Sequence, residues 1–348
     1  MEAFLVSVLP MALKAAIQLG VLDILQAAET SKDGDDNRLS AMEIAARVQG
    51  RTTSLEESAS SLNRILRVLA NHGLLSASSA EELMTSFVAY SYGLSLSSRF
   101  FANRDLLASL SHFVLLTLEP ANQYAYSKLE EAVLHGDSPF AIAHGTTFYS
   151  FTQQNHAYNQ VFQNAMSGHS QLFMTKLLDT YEGLQTIRSL VDVGGGYGDC
   201  LRAITSRYPH LKGINLELPH IVANAPAYPG VEHVVGDMFL EIPNADAILI
   251  KWVLHNYKDD DCLKVLKNCH KSLPLHGKII IIESLLPNTT ENIPSDRISL
   301  YVDLVMLAIL GGKSRTQEEF ENLSIRAGFT KVELVHTIYG MSILEISK

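Results

Sequence analysis

Cysteine is scarce in this sequence: three of the 348 residues are cysteine, and no two of them form a C-x-x-C pair. These residues are Cys200, Cys262 and Cys269. An odd number of cysteines without such pairs is atypical of a disulfide framework and of a zinc site, because each requires cysteines in matched sets. We therefore expect reduced thiols, a cytoplasmic location and no metal.

Long apolar runs are missing as well. A membrane span requires about 18 consecutive apolar residues, and Asp303 interrupts the most apolar stretch, at 301–310. The apolar N-terminus contains Glu2, Pro10 and Lys14 and has no basic segment ahead of it, which is atypical of a signal peptide. These features predict a chain that is neither secreted nor inserted in a membrane.

Positive charge is in short supply too. The chain has 27 lysine and arginine residues against 37 aspartate and glutamate residues, a formal net charge of −10. Nucleic-acid phosphates are bound by basic surfaces, so this balance argues against a nucleic-acid partner. With 47% hydrophobic and 18% charged residues, the composition is globular, and the length allows two domains with separate cores.

Residues 1–152 are predicted to form a helical, winged-helix-like domain. Apolar residues recur at helical spacing near the start of the chain, and Ser40 with Glu43 has the spacing of a helix-capping box. A second helix ends near Gly73, and strand-like segments follow it. Two short helices followed by such strands are typical of a winged helix.

A winged helix raises the alternative of a DNA-binding regulator, since its second helix carries Arg64 and Arg67. Glutamates flank this helix in the sequence, at Glu56, Glu57, Glu81 and Glu82. A DNA-binding face requires a basic stripe, which this helix lacks. Dimerisation is therefore the predicted use of the domain.

The second domain, residues 153–348, is organised around the run SLVDVGGGYGDCLRAI. A short apolar strand ends in glycines, among them Gly194, and a helical pattern follows. Glycines let the backbone approach a ligand closely, and the start of a helix offers free N–H groups to an anion. The G-x-G-x-G spacing differs from the G-x-G-x-x-G of dinucleotide sites, so the motif depends on support from neighbouring strands.

Charged residues at the ends of the next strands give that support. Glu217 follows the second predicted strand, Asp237 follows the third, and Lys251 ends the fourth. In an α/β sheet, an acidic side chain at the position of Glu217 binds ribose hydroxyls. These strand ends predict a nucleoside-binding crevice; the alternative is that they are only turns and solvated strand ends.

A candidate base lies at the same edge. His255 comes just after the fourth predicted strand, and Glu283 ends the fifth. Because the carboxyl ends of parallel strands meet at one edge of a sheet, we expect these side chains to be neighbours. A histidine with a carboxylate in reach is a base that works near neutral pH. The alternative is a surface histidine beside a solvated glutamate.

A helical stripe precedes the glycines. Tyr158, Phe162 and Met166 recur every four residues, with His169 on an adjoining line of the same face. Such stripes are usually ordinary core. Its place just before the glycines makes this stripe a candidate wall of an aromatic pocket.

Many runs, in one order, resemble the plant small-molecule O-methyltransferases typified by caffeic acid O-methyltransferase. They are LVDVGGG, KGINLELPH, APAYPGVEHVVGDMF, AILIKWVLH, LKNCHKSLP, GKIIIIESLLP, GGKSRTQEEF and AGF, with VLPMALKAAIQLGVLDIL and MSGHS before them. The resemblance covers nearly the whole chain. It implies a Rossmann-like class I methyltransferase domain, which uses S-adenosyl-L-methionine and releases S-adenosyl-L-homocysteine, after an N-terminal dimerisation domain.

The resemblance also implies roles for single residues. His255 matches the family's general base, and Glu283 matches one of its two acidic partners. The implied cofactor positions are Gly194, Glu217, Leu218, Asp237, Met238, Lys251 and Tyr257. The implied pocket positions are Leu116, Thr117, Tyr158, Phe162, Met166, His169, Trp252 and Met306. The family further implies an obligate homodimer, in which the N-terminal helix of one subunit completes the pocket of the other.

Some positions depart from the family pattern. Asn256 stands where the family commonly has aspartate, Tyr257 where it has tryptophan, and Ser314 where it has the second acidic partner. With one acidic partner left, we expect the base to be a weaker proton acceptor. The chain is also one residue shorter than the family at 309–310, which removes a polar pocket position.

The sequence therefore predicts an S-adenosylmethionine-dependent O-methyltransferase that acts on a hydroxyl of a small aromatic of phenylpropanoid, stilbene or flavonoid type. One alternative is N-methylation of an aromatic amine, which attacks through its lone pair and needs no strong base. A second is a non-catalytic relative that keeps the cofactor pocket.

Overall fold

A computed structural model describes residues 7–31, 37–80, 89–102, 109–289, 291, 293 and 296–348. The chain divides into two compact units. The N-terminal unit comprises Met1–Glu119 and Asn164–His169, and the C-terminal unit comprises Pro120–Gln163 and Ser170–Lys348. The sequence-based boundary at residue 152 stays a prediction.

The N-terminal unit is mainly helical. Its helices are α1 (Val8–Gln18), α2 (Val21–Ser31), α3 (Ala41–Arg47), α4 (Leu55–Asn71) and α5 (Ser111–Thr117). The predicted capping box is present at α3, where Ser40 Oγ accepts from the Glu43 N–H and the Glu43 carboxylate accepts from the Ser40 N–H. In the described ranges no single helix has the length and apolarity of a membrane span, although Val8–Gln18 and Val21–Thr30 meet that test together as a pair bent by 57°.

A small antiparallel sheet supplies the wing. Its strands are β1 (Leu39–Ser40), β2 (Leu75–Ala80) and β3 (Ala89–Leu94), in the order β1-β3-β2. Its fully buried Tyr92 packs with apolar residues of the helices, namely Leu22, Leu25, Ile44, Leu66 and Leu69. The predicted helical domain with a winged-helix arrangement is therefore present. Glu81 and Glu82, which the sequence reasoning used, lie outside the described residues.

The C-terminal unit holds a seven-stranded sheet in the order β6-β5-β4-β7-β8-β10-β9. The strands are β4 (Ser189–Val193), β5 (Lys212–Glu217), β6 (Val231–Val235), β7 (Ala247–Lys251), β8 (Lys278–Glu283), β9 (Lys331–Ile338) and β10 (Met341–Ser347). Strands β4 to β8 run parallel, and β10 is antiparallel to β8 and β9. Chain order reverses at β4, between β5 and β7, and ligands of such sheets bind beyond the carboxyl ends of the strands at that point.

Helices accompany this sheet along the chain. They are α6 (Pro120–Tyr126), α7 (Leu129–His135), α8 (Pro139–His144), α9 (Phe148–Gln154), α10 (His156–Thr180), α11 (Asp199–Arg207), α12 (Pro219–Val222), α13 (Asp259–Ser272), α14 (Arg297–Leu310) and α15 (Gln317–Ala327). Along β8, Ile279 and Ile281 belong to one core cluster, whereas Ile280 and Ile282 belong to another. Both faces of the strand are thus buried, which explains its uninterrupted apolar sequence.

The hairpin of β9 and β10 is not predicted by the sequence patterns. It turns at Tyr339 and Gly340, whose φ values of +51° and +76° are those of a type I′ hairpin turn. Strand β9 lies at the edge of the sheet and exposes Leu334 and Val335, so it lacks the apolar alternation that marks a half-buried strand.

Candidate active site

The turn between β4 and α11, which we call the glycine turn, contains four glycines and Tyr197. Three of its residues adopt φ values in the left-handed region: Gly194 (+69°), Gly196 (+59°) and Gly198 (+84°). At Gly195 a Cβ would overlap Asn215 Oδ1 and lie 2.5 Å from Asp192 Oδ2. The backbone of the turn therefore packs directly on polar side chains of β4 and β5.

Glu217, the last residue of β5, is hydrogen-bonded to this turn. Its Oε1 accepts from the Gly196 N–H at 3.1 Å, and its Oε2 accepts from the Leu218 N–H at 2.7 Å. Asn215 donates from Nδ2 to the Gly196 carbonyl at 2.9 Å. Burial raises the pKa of the Glu217 carboxyl, while the two N–H donors oppose that rise. The carboxylate is held at the edge of the glycine turn, the position expected of a ribose-binding acid.

Asp237 and Met238 come after β6 and lie beside Tyr257. Asp237 Oδ1 accepts from the Phe239 N–H at 2.8 Å, and the Phe239 ring stands edge-on to the Tyr257 ring with 5.1 Å between centroids. The Met238 carbonyl accepts from Asn268 Nδ2 at 2.9 Å. Sequence reasoning misses Asn268, because a single asparagine within a helix forms no motif.

Strand β7 ends at Lys251 and Trp252. Lys251 Nζ donates to Ser170 Oγ at 3.1 Å and lies 4.7 Å from the centroid of the Trp252 ring. Trp252 has a φ of +56°, a strained conformation for a bulky residue. Such strain persists only where the surrounding structure imposes it, and it concentrates at functional sites. A predicted cofactor residue and a predicted substrate residue thus lie side by side.

His255 and Glu283 form a buried pair. His255 lies in a short 3-10 turn, Leu254–Asn256, which we call the base turn. Its Nδ1 is 2.9 Å from Glu283 Oε2, and its N–H donates to Glu283 Oε1 at 3.3 Å. The two residues are only 5% and 1% exposed. His255 Nδ1 and Glu283 Oε2 are at ion-pair distance but do not meet the geometry of a hydrogen bond. A carboxylate this close to Nδ1 favours a proton on that nitrogen, which leaves Nε2 to accept another.

Asn256 and Tyr149 meet beside this pair. Asn256 Nδ2 donates to the Tyr149 hydroxyl at 2.9 Å and to the Trp252 carbonyl at 3.3 Å. The amide that replaces the family's usual aspartate therefore bridges α9 and the base turn. Tyr149 is not predicted from the sequence, because its partner lies 107 residues away along the chain.

Ser314 is buried with 2% of its surface exposed. Its N–H donates to Asp303 Oδ1 at 2.7 Å, whereas its Oγ has no hydrogen-bond partner among the described residues. A short hydroxyl thus occupies the position of the family's second acidic partner. The carboxylate in contact with His255 is that of Glu283.

Tyr158 and Phe162 belong to an aromatic cluster of the C-terminal unit. Phe148 stands edge-on to both, with centroid distances of 6.0 Å to Tyr158 and 5.2 Å to Phe162. The Tyr158 hydroxyl donates to Asn122 Oδ1 at 2.6 Å. The stripe is at least a well-packed core, and its role as a pocket wall stays a prediction.

The remaining predicted pocket residues are distributed over both units. Leu116, Thr117, Met166 and His169 belong to the N-terminal unit, and Met306 lies on α14 of the C-terminal unit. Within the N-terminal unit, His169 and Phe113 are ring neighbours at 6.1 Å. The pocket roles of these five residues stay predictions. Across the described ranges, no cluster of three or more histidine, cysteine, aspartate or glutamate side chains is placed to hold a metal ion.

Two family models match the chain. An O-methyltransferase domain matches residues 126–330, and an O-methyltransferase dimerisation domain matches residues 1–104. The first covers most of the C-terminal unit, including the glycine turn and the base turn.

Curated relatives match almost the entire chain. Caffeic acid 3-O-methyltransferase 1 of Populus kitakamiensis is 40% identical over 343 residues, which cover 98% of this chain and 92% of that protein. O-methyltransferase 1 of Lophophora williamsii is 41% identical with the same coverage.

Solved structures share the architecture. Human N-acetylserotonin methyltransferase in complex with S-adenosylmethionine aligns with a TM-score of 0.81 at 20% identity, covering 100% of this chain and 96% of that one. A methyltransferase of calicheamicin biosynthesis, in its S-adenosylhomocysteine-bound form, aligns with a TM-score of 0.79 at 24% identity and the same coverage. At these identities the likeness is one of fold.

Proposed function

We propose an acceptor and a base for this chain, which belongs to the O-methyltransferase family. As a member of that family, of the caffeic acid O-methyltransferase type, it is an S-adenosylmethionine-dependent O-methyltransferase. The proposed acceptor is a hydroxyl of a small aromatic of phenylpropanoid, stilbene or flavonoid type. The proposed general base is His255.

The residues at the edge of the sheet fit the cofactor. The glycines of the turn carry no side chains at the carboxyl end of β4, and the Glu217 carboxylate accepts from the Gly196 N–H of the turn. We assign Gly194, Glu217, Leu218, Asp237, Met238, Lys251 and Tyr257 to the cofactor site. When bound, S-adenosylmethionine supplies a methyl group that is already activated by its sulfonium. What the protein's own residues must add is alignment of the acceptor and removal of its proton.

The buried contact between His255 and Glu283 carries the proposal for the base. A phenol has a pKa of about 10 and histidine one of about 6.5, so a positioned imidazole accepts the hydroxyl proton as the transition state forms. The Glu283 carboxylate, 2.9 Å from Nδ1, favours the Nδ1–H tautomer, which presents the Nε2 lone pair. It also stabilises the imidazolium that results.

A homodimer is the proposed assembly. The dimerisation-domain match supports it, and so does the apolar surface of α1, where Val8 and Met11 are 58% and 44% exposed. We further propose that the N-terminal helix of each subunit completes the substrate pocket of its partner.

An aromatic amine is the second candidate acceptor. The buried hydroxyl of Ser314, in place of a carboxylate, favours it, because an amine attacks through its lone pair and needs less help from a base.

Substitution of His255 separates the two acceptors. For a phenol we expect His255→Ala to lower kcat about 100-fold or more, the usual contribution of a positioned base. For an amine we expect little change. Methyl transfer from labelled cofactor is measured over a panel of phenols and aromatic amines, with His276→Ala, at an exposed site, as the matched control. Full activity of His255→Ala on a phenol would remove His255 from the mechanism.

A further inference from the structure

Arg315 is a fully buried cation in the segment that joins α14 to α15. Its relative exposure is 0%, the lowest of any arginine in the described ranges. A buried guanidinium is costly unless all its donors are paired, so its partners show what the structure uses it for.

Those partners are concentrated around the base turn. Arg315 Nη1 donates to the Leu254 carbonyl at 3.0 Å, and Nη2 donates to the Tyr257 carbonyl at 2.9 Å. These two carbonyls bracket His255 in the chain. Nε and Nη2 also donate to Asp259 Oδ1, at 3.0 Å and 2.7 Å, and Nη1 reaches the Lys313 carbonyl at 3.3 Å.

The backbone before Arg315 is packed against the same turn. A Cβ on Gly312 would overlap the His255 carbonyl oxygen and lie 2.6 Å from the Asn256 carbonyl carbon. Because the atoms it would meet belong to the main chain, no rotamer change relieves the overlap. Gly312 and Arg315 therefore hold the base turn from one side.

Glu283 holds the same residue by other atoms. It comes from β8 and contacts the His255 ring and N–H, whereas Arg315 comes from beyond α14 and contacts the carbonyls on either side. The position of an imidazole is fixed only when both its ring and its main chain are held in place.

We propose that Arg315 is a positioning residue for the base: its guanidinium fixes the backbone on both sides of His255 and so keeps Nδ1 on Glu283 and Nε2 free to take the proton. This proposal rests on the proposed role of His255. Arg315 acts through the main chain of the base turn and not by contact with the acceptor. Lysine cannot replace it, because a single ammonium cannot reproduce a planar fork that donates to two separate carbonyls and a carboxylate.

Arg315→Lys and Arg315→Gln test the proposal, with Arg326→Lys and Arg326→Gln at an exposed site of α15 as matched controls. We expect kcat on a phenol to fall about 10- to 100-fold, since a misplacement of about 1 Å costs as much. The KM for the acceptor should stay within about threefold. The Kd for S-adenosylhomocysteine should rise by a smaller factor than kcat falls, because Arg315 contacts the main chain of one assigned cofactor residue, Tyr257, while those of β4, β5 and β6 are untouched. The Arg326 variants should match the wild type.

A spectroscopic signature separates positioning from plain stability. In protein with ¹⁵N-labelled histidine, the His255 signals are assigned with His255→Gln. We expect a resolved Nδ1–H tautomer in the wild type and an exchanging mixture of tautomers in Arg315→Lys. If the Arg315 variants melt at a lower temperature but keep the wild-type His255 signals and kcat, the proposal is wrong.

Asp259→Asn is the second variant, in case the Arg315 variants do not fold. It removes the carboxylate that anchors the guanidinium but keeps Arg315, and its side chain is 46% exposed, so folding should survive. We expect a smaller fall in kcat, about threefold to tenfold, with the His255 signals moving in the same direction. Unchanged signals and kcat would overturn the proposal. Should the wild type methylate no acceptor in the panel, the proposed function fails, while the His255 signals still decide whether Arg315 positions the imidazole.

Discussion

The glycine turn and the base turn lie at the same edge of one sheet and are fixed by opposite means. The glycine turn has almost no side chains of its own, and polar groups of the adjacent strand hold its backbone. The base turn carries the reactive side chain, and buried charged groups from distant parts of the chain hold it. Glu217 lies 21 residues from its backbone partner Gly196, whereas Arg315 lies 61 residues from Leu254. We therefore expect the glycine turn to shape the cofactor site and the base turn to orient His255 Nε2.

This contrast predicts that one substitution in each region will damage a different step. A Cβ on Gly195 meets side-chain oxygens of Asp192 and Asn215, whereas a Cβ on Gly312 meets main-chain atoms of the base turn. We expect Gly195→Ala to raise the Kd for S-adenosylhomocysteine about tenfold or more. We expect Gly312→Ala to lower kcat about 100-fold. Calorimetry and single-turnover kinetics on both variants check this.

The two glycine variants control each other, since each adds one methyl group at a crowded position. If both variants lose cofactor affinity and kcat in the same proportion, the two turns do not serve separate steps. That outcome would mean that the two turns respond as one unit.

The same contrast explains what the sequence could predict. The glycines, Glu217 and Asp237 follow short strands in a regular order, so local patterns and the family resemblance are enough to propose a nucleoside crevice. The strand order is not among these predictions, and the structure places β4 between β5 and β7. His255 and Glu283 are also strand-end residues, and the structure brings them to 2.9 Å.

Local sequence patterns do not identify residues that act through long-range contacts. Nothing near Arg315 in the sequence indicates that it contacts the base turn. Likewise, nothing near Tyr149 indicates that its hydroxyl accepts a hydrogen bond from Asn256. The β9–β10 hairpin was missed because β9 is an exposed edge strand. For Arg315 and Tyr149 the deciding contact joins residues that no local pattern connects.

Removal of the Glu217 carboxylate tests its proposed role in cofactor binding. Glu217→Ala removes a charged acceptor from the proposed ribose site, and we expect S-adenosylhomocysteine to bind more weakly by about 1 to 3 kcal/mol. Calorimetry measures the change, and Glu232→Ala, on the exposed side of β6, is the control. Unchanged affinity would exclude Glu217 from the site. The kcat at saturating cofactor should change much less, because the base turn is intact.

Asp192 is a buried acid next to the glycine turn. Its side chain is 1% exposed, its Oδ2 has no hydrogen-bond partner among the described residues, and Asn215 is its cross-strand neighbour. Burial raises the pKa of Asp192 to about 7, and Glu217 adds to the rise while Lys251 opposes it. Under the base turn a buried carboxylate lies against histidine, whereas the Asp192 carboxyl keeps its proton below about pH 7.

The pH dependence of stability follows from that shift. An unfolded aspartate loses its proton near pH 4, whereas folded Asp192 keeps it to about pH 7. Between these values the folded state binds more protons, so its stability falls as pH rises through the window and the loss is complete above about pH 7. Asp192→Asn has no such proton. At about 1.4 kcal/mol per pKa unit, we expect the free energy of unfolding of Asp192→Asn, relative to that of the wild type, to rise by about 2.5 kcal/mol between pH 5 and pH 8.

Urea denaturation at the two pH values measures this gain, with exposed Asp179→Asn as the control. A gain of the same size at both values would show that Asp192 does not titrate in this range. A loss that grows with pH would show that the glycine turn requires the charge.

The smallest expected effect concerns Ser314, which stands where the family has its second acidic partner. A glutamate at this position restores the second acidic partner, which favours the imidazolium and so helps proton removal from a phenol. The gain is limited by the local structure, since the Ser314 N–H donates to Asp303 Oδ1 and a new carboxylate meets that negative charge in a buried place. We expect Ser314→Glu to raise kcat on phenols about threefold and to leave amines unchanged. Ser314→Gln, of equal size and without charge, is the matched control. If Gln and Glu give the same kcat, side-chain volume rather than charge sets the rate, and one carboxylate is all that His255 uses.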